Sequence, residues 1–101
     1  MLTELIAARF RLLGEPMRIR ILDRLRSGPA SVGELAEELG TTQQNVSKHL
    51  AALHAAAIVG REKDGNRVLY SIADPGVFEL CEQVCGGLGR QADHLKEALP
   101  K

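Results

Sequence analysis

Ser31 and Gly40 bracket the stretch that most constrains what this chain can fold into. In Ser31-Val-Gly-Glu34 the serine hydroxyl and the glutamate carboxylate can each satisfy a backbone donor of the other, the capping box that opens a helix. Leu35 and Leu39 then face inward from a short helix, and Gly40 fits the left-handed position just past its end. Thr41 or Thr42 caps a further helix. There Val46, Leu50, Leu53 and Ala57 fall on one stripe at about 100° per residue, with Gln44, Ser47, Lys48 and Ala51 on the opposite side. His49 flanks the stripe, the place of a hydrogen-bonded structural histidine, and His54 lies outside it. Two short helices joined by a tight glycine-containing turn form a helix-turn-helix unit over residues 31–57.

The flanking segments extend the pattern. Leu2, Leu5, Ile6, Phe10 and Leu13 have helical spacing, with Thr3 as candidate N-cap and Gly14 at the end, giving a helix over 1–14. Pro16 suits the first turn of a second helix running to about Ser27, with Met17, Ile21, Leu22 and Leu25 inward. Gly28-Pro29 stops it. Asp64-Gly65-Asn66 is a hairpin turn signal, so residues 58–72 read as two short antiparallel strands. Pro75 opens a last helix over 75–99, with Val77, Cys81, Val84, Leu88, Ala92, Leu95 and Leu99 as an inward stripe. Gly86, Gly87 and Gly89 weaken its middle, each by roughly 1 kcal/mol against Ala, and leave a kink, a break or a close helix contact open. The expected fold is mainly α with a small β-hairpin: five helices in a winged helix-turn-helix arrangement, one domain over 1–101.

At 101 residues the core is limited, so association with a second copy is a natural source of stability. Net charge is zero, but its distribution is uneven. Six arginines precede Ser31, and Lys48, Arg61, Lys63 and Arg67 cluster from the second half of the helix-turn-helix through the hairpin, while the stretch from Ala73 is net acidic. A neutral chain can bind nucleic acid when its basic residues share a face; a mixed, solvated surface is the alternative. Two cysteines make no disulfide framework and suit a reducing cytosol, so a cytoplasmic protein is expected. The start of the chain has early Glu4 and no long apolar run, so neither a signal peptide nor a membrane partner is expected.

"FRLLGEPMRIRIL" (Phe10–Leu22), "SVGELAEELGTTQQNVSKHLAALHAAAIV" (Ser31–Val59) and "REKDGNRVLYSI" (Arg61–Ile72) together resemble the ArsR/SmtB family, over roughly Arg9 to Leu80. The resemblance implies a sequence-specific transcriptional repressor, homodimeric through its first and last helices (1–14 and 75–99). It also implies operator binding relieved by a metal, metalloid or thiol-reactive inducer. The family's better-known sites do not carry over. Val32-Gly33-Glu34-Leu35 lacks the thiolate pair, and Gly76, Gly87 and Arg90 stand where the interfacial zinc site would place histidines or carboxylates. An inducer-independent regulator and a winged-helix protein-interaction module are the alternatives.

For double-stranded DNA with an inverted repeat, the candidate contacts are Thr42, Gln43, Gln44, Ser47 and Lys48 on the second helix of the unit, and Lys63 and Arg67 on the wing. Glutamine can pair bidentately with adenine, and lysine with guanine or a phosphate. Thr41 and Thr42 sit where a helix N-terminus meets a phosphate, and Ala51 and Ala55 are small enough to let the helix sit deep. Arg61 resembles the two wing residues in position; Arg18 and Arg20 are further backbone candidates. Cys81 and Cys85, one turn apart, are the candidate inducer-sensing and metal residues, since a soft thiolate pair suits zinc, cadmium, copper(I) or arsenite. Two thiolates do not complete a site, so a third ligand must come from a second subunit, a histidine or solvent; His94 lies on the opposite face. Core packing of both cysteines is the equal alternative. With no CxxC, no base beside the thiols and no cofactor loop, an enzyme is not expected.

Overall fold

A computed structural model describes the backbone of residues 1–98 and the side chains of residues 1–91. The order is α1 (Leu2–Leu13), α2 (Pro16–Leu25), α3 (Val32–Leu39), α4 (Gln43–Ala55), β1 (Val59–Asp64), β2 (Arg67–Ile72) and α5 (Gly76–Ala98). Five helices and one antiparallel hairpin are the expected architecture.

Local chemistry sets the boundaries. Thr3 is inside α1 rather than its cap; the helix starts directly after Met1, whose ammonium pairs with Glu4 at 2.7 Å. Glu15 caps α2, accepting from the Arg18 amide at 3.0 Å, and Pro16 takes the first helical position. This helix ends at Leu25, short of the expected Ser27. The Ser27 and Gly28 amides reach back only three residues, to Arg24 and Leu25, tightening the last turn before Gly28 reverses the chain at φ +135°. Both halves of the Ser31–Glu34 capping box are formed, and Gly40 is left-handed at φ 66°. Thr42, not Thr41, caps α4 by accepting from the Asn45 amide at 3.1 Å.

The end of α4 corrects one expectation. Ala57 is not on the apolar stripe: it lies past the helix, exposed, at φ 60°. The Ile58 amide donates to the Leu53 carbonyl at 3.0 Å and the Ala57 amide to the His54 carbonyl at 3.0 Å. That is the Schellman closure, with alanine in the left-handed place that glycine usually takes. It turns the chain so that Ile58 and Val59 enter the core.

In the hairpin, Val59 pairs with Ile72 and Asp64 with Arg67, leaving Gly65-Asn66 as a two-residue turn. Gly65 is at φ 64° and Asn66 is not at positive φ, the pattern of a type II′ turn. Ala30 forms a further bridge along the other edge of β2, exchanging amide–carbonyl bonds of 3.0 and 2.8 Å with Tyr70. The chain entering the helix-turn-helix is thereby fixed to the wing.

The core is built from Ile21, Leu22 and Leu25 of α2, Leu35 and Ala36 of α3, Val46, Leu50 and Leu53 of α4, with Ala30, Ile58, Val59 and Val77. α1 buries no side chain fully. On α5 the expected inward stripe holds only at Val77: Cys81 is half-buried, while Val84 and Leu88 are exposed. Ala92, Leu95 and Leu99 lie outside the residues whose side chains are described. Leu2, Leu5, Ile6 and Phe10 of α1 are exposed too. α5 runs unbroken through Gly86, Gly87 and Gly89. The Cα radius of gyration is 16.3 Å, against about 13 Å for a compact chain of this length. Among the described residues no helix is long and apolar enough to cross a membrane.

Candidate nucleic-acid interface

Val46, Leu50 and Leu53 are fully buried and seat α4 on α2 and α3. Helical geometry then leaves Thr42, Gln43, Gln44, Ser47 and Lys48 exposed at its N-terminal half, with Ala51 and Ala55 exposed beyond them. The five expected residues are thus on one surface, though not equivalent. Thr42 Oγ1 accepts from the Asn45 amide, and the Asn45 side chain donates to Thr41 Oγ1 at 3.0 Å, so both threonines order the helix start. The Gln43 side-chain Nε2 stands 3.7 Å from where a Cβ on Gly33 would be, which sets Gln43 against α3 at the edge of the surface. Gln44, Ser47 and Lys48 form its middle.

His49 is buried and hydrogen-bonded, as its place beside the stripe suggests. Arg18 Nε donates to its Nδ1 at 3.1 Å, and its Nε2 lies 3.7 Å from Glu15 Oε2. Burial holds its pKa below the usual histidine value, outweighing the pull of Glu15 in the other direction; Arg18 and Lys48 add to the lowering. Burial raises the Glu15 pKa, but the Arg18 amide and the charges of His49 and Arg18 bring it below the usual carboxylate value. Arg18, read from the sequence as a candidate backbone contact, is engaged inside the fold; Arg20 is exposed.

On the wing, alternation places Arg61 and Lys63 with their cross-strand partners Tyr70 and Val68 on one face, and Glu62, Asp64, Leu69 and Arg67 on the other. Lys63 is exposed and makes no ion pair among the described residues. Arg67 pairs instead with Glu34 of the capping box. Glu34 Oε1 also accepts from the Ser31 hydroxyl at 3.0 Å and the Ser31 amide at 3.3 Å. The Ser31 hydroxyl and amide, and then the charges of Arg67 and Arg24, hold the Glu34 carboxyl below its usual range. Sequence reasoning missed this link. Glu34 already has a local role in the capping box, and nothing in the spacing of residues 33 apart points to Arg67.

Cys81 is half-buried and Cys85 exposed on successive turns of α5, so Cys85 does not pack into the protomer's core. Among the described residues no group of three histidines, cysteines or carboxylates gathers around them.

A helix-turn-helix domain family model matches residues 13–60. The HTH-type transcriptional regulator Rv0081 of Mycobacterium tuberculosis is 42% identical over 80 residues, 78% of this chain and 70% of the relative. Its crystal structure superposes with a TM-score of 0.84 at 38% identity, covering 93% of this chain and 96% of that one. Mb0332 of Mycobacterium bovis, a homodimeric winged helix-turn-helix DNA-binding domain described as a possible ArsR-family regulator, gives a TM-score of 0.79 at 28% identity over 92% of this chain and 86% of that one. The antimony-specific transcriptional repressor AntR gives 0.76 at 29% identity over 90% and 83%. These relatives are transcriptional regulators, not enzymes. With its capped helix-turn-helix, its wing and these relatives, the chain belongs to the ArsR/SmtB family of winged helix-turn-helix, DNA-binding transcriptional regulators.

Proposed function

We propose that this chain is a homodimeric repressor that places its two copies of α4 in successive major grooves of an inverted-repeat operator. The observation that carries the reading is the exposed surface of Thr42, Gln43, Gln44, Ser47 and Lys48 on a helix locked from behind by Val46, His49, Leu50 and Leu53. Short polar side chains near the N-terminus of such a helix reach base edges, and the positive end of the helix dipole favours a phosphate. Gln44, Ser47 and Lys48 read bases; Thr42 and Gln43 set the approach. Lys63 reaches the backbone from the wing, and Arg67 does so on leaving Glu34. The exposed apolar residues of α1 and α5 are covered by the second copy; the relative Mb0332 is homodimeric.

A mobility-shift titration against the chain's own upstream region, repeated across salt, tests this. The expected result is selective binding that weakens with salt; Lys48→Ala lowers the salt slope by about 1 if it meets a phosphate. Gln44→Ala weakens the preferred sequence over a scrambled one. Binding without selectivity in the parent chain would favour the interaction-module alternative.

Release by an inducer rests on Cys81 and Cys85. Two thiols on successive turns, one of them exposed, offer half of a four-thiolate soft-metal or metalloid site, and a second copy of α5 supplies the rest. If they sense, Cys81→Ser or Cys85→Ser leaves DNA binding intact and abolishes release by zinc, cadmium, copper(I), arsenite or an oxidant. Release unchanged in both variants removes the cysteines from the mechanism, and no release by any of them leaves an inducer-independent regulator.

A further inference from the structure

Arg18 ties three helices together. Its backbone amide is capped by Glu15 at the start of α2. Its Nε donates to His49 Nδ1 on α4 at 3.1 Å, and one terminal nitrogen donates to the Leu12 carbonyl in the last turn of α1 at 3.0 Å. That carbonyl is one of the four at a helix end that have no partner within the helix. α1 buries no side chain fully, so this contact is a directional link from a weakly packed helix to a rigid one. His49 is 5% exposed, and its Nδ1 receives the arginine while its Nε2 faces Glu15. A guanidinium carries donors on separate nitrogens in one rigid plane, so it reaches the two acceptors in a fixed geometry; an ammonium has all its donors on one nitrogen.

From this geometry we infer that Arg18 and His49 are positioning residues for DNA binding, a strut that fixes the angle between the recognition helix α4 and α1. The inference rests on the dimeric reading above. If α1 lies in the dimer seam, this angle sets the distance between the two copies of α4, and so whether both fit one operator. Neither residue needs to touch DNA. A loosened strut leaves each α4 competent alone while spoiling the match to the second half-site, since half-site spacing is a geometric property of the dimer.

The test compares two duplexes: the inverted repeat bound by the parent chain in its own upstream region, and the same duplex with one half-site scrambled. His49→Leu keeps the apolar packing and removes the acceptor. It is expected to weaken full-site binding by about tenfold, the scale of one lost charge-assisted hydrogen bond, and to change half-site binding by less than about threefold. His49→Asn places an amide oxygen near the Nδ1 position and restores full-site binding. Should His49→Leu fail to fold, Arg18→Lys, whose donors all sit on one nitrogen and cannot span the His49 ring and the Leu12 carbonyl in the same geometry, carries the same expectation. Thermal unfolding and sedimentation show that each variant remains folded and dimeric. An unchanged full-to-half-site ratio in the Leu and Lys variants, or an Asn variant as weak as the Leu variant, overturns the strut while leaving the repressor reading intact. A parent chain that sediments as a monomer on both duplexes overturns the dimeric reading and the strut with it.

Discussion

Leu50 and Leu88 have the same place in the sequence pattern, each on the apolar stripe of a helix, yet Leu50 is fully buried and Leu88 is 61% exposed. The difference separates two kinds of surface in one small chain. α2, α3, α4 and the base of the hairpin bury one shared set of apolar side chains, with Ile19 of α2 left exposed. α1 and α5 present Leu5, Phe10, Val84 and Leu88 to solvent. A stripe of apolar residues therefore specifies that a helix will be covered, but not by what. Apolar side chains left exposed on two helices are what the proposed seam between two copies would cover.

Truncating each leucine in turn should have very different costs. Leu50→Ala removes a fully buried side chain at the crossing of α4 with the core and should cost about 2–5 kcal/mol, read as a lowered urea midpoint. Leu88→Ala should cost less than about 0.5 kcal/mol at a protein concentration low enough to keep the chain monomeric. Equal losses would mean that α5 is part of the protomer's own core. Next in size is Leu88→Glu, expected to weaken self-association at least about tenfold, roughly 1.4 kcal/mol, by burying a charge in the proposed seam. Sedimentation equilibrium reads it directly, and an unchanged monomer–dimer balance would place the seam elsewhere.

How much of this was legible in the sequence follows the same division. The helix-turn-helix could be read residue by residue, because capping boxes, αL glycines and two-residue hairpin turns are local chemistry: Ser31, Glu34, Gly40, Thr42 and Gly65 all take the roles their neighbours dictate. The end of α4 could not. Ala57 continues the apolar spacing, and only the inward turn of Ile58 and Val59 forces it into a left-handed conformation. The stripe on α5 was visible but its direction was not, since burial within a protomer and burial between protomers leave the same periodicity. On the candidate surface, Gln44, Ser47 and Lys48 were legible from their position opposite Val46 and Leu50. The engagement of Arg18 with His49 and of Arg67 with Glu34 was not, because each pair is more than 30 residues apart in the chain.

Ala57 offers a smaller, cleaner test of the covered region. A left-handed alanine costs about 1 kcal/mol or more relative to glycine in that conformation, though glycine also gains freedom in the unfolded chain. Ala57→Gly should therefore stabilise the protomer by up to about 1 kcal/mol, raising the urea midpoint with an unchanged slope. A loss of about 1 kcal/mol, the cost of a glycine where the backbone is not left-handed, would mean that the Schellman closure is not formed in solution.

The smallest expected effect lies where the two regions meet. Burial lowers the pKa of His49 below its ordinary 6.5, with Arg18 and Lys48 acting in the same direction and Glu15 opposing them. The unfolded chain then binds more protons than the folded one between the folded pKa and 6.5, so stability rises with pH across that window. The contribution is fully present above pH 6.5 and is lost as pH falls towards the folded value. Glu15 and Glu34 behave in the same sense at lower pH: their pKa values fall below 4.5 on folding, so their contributions hold above pH 4.5 and disappear as pH drops through the lowered values. A stability profile should show a shallow decline beginning below pH 6.5 and a further one beginning below 4.5. His49→Asn, which cannot titrate, should erase the first and keep the second. A first decline that survives in this variant would belong to another group, and His49 would then take up its proton equally in the folded and the unfolded chain.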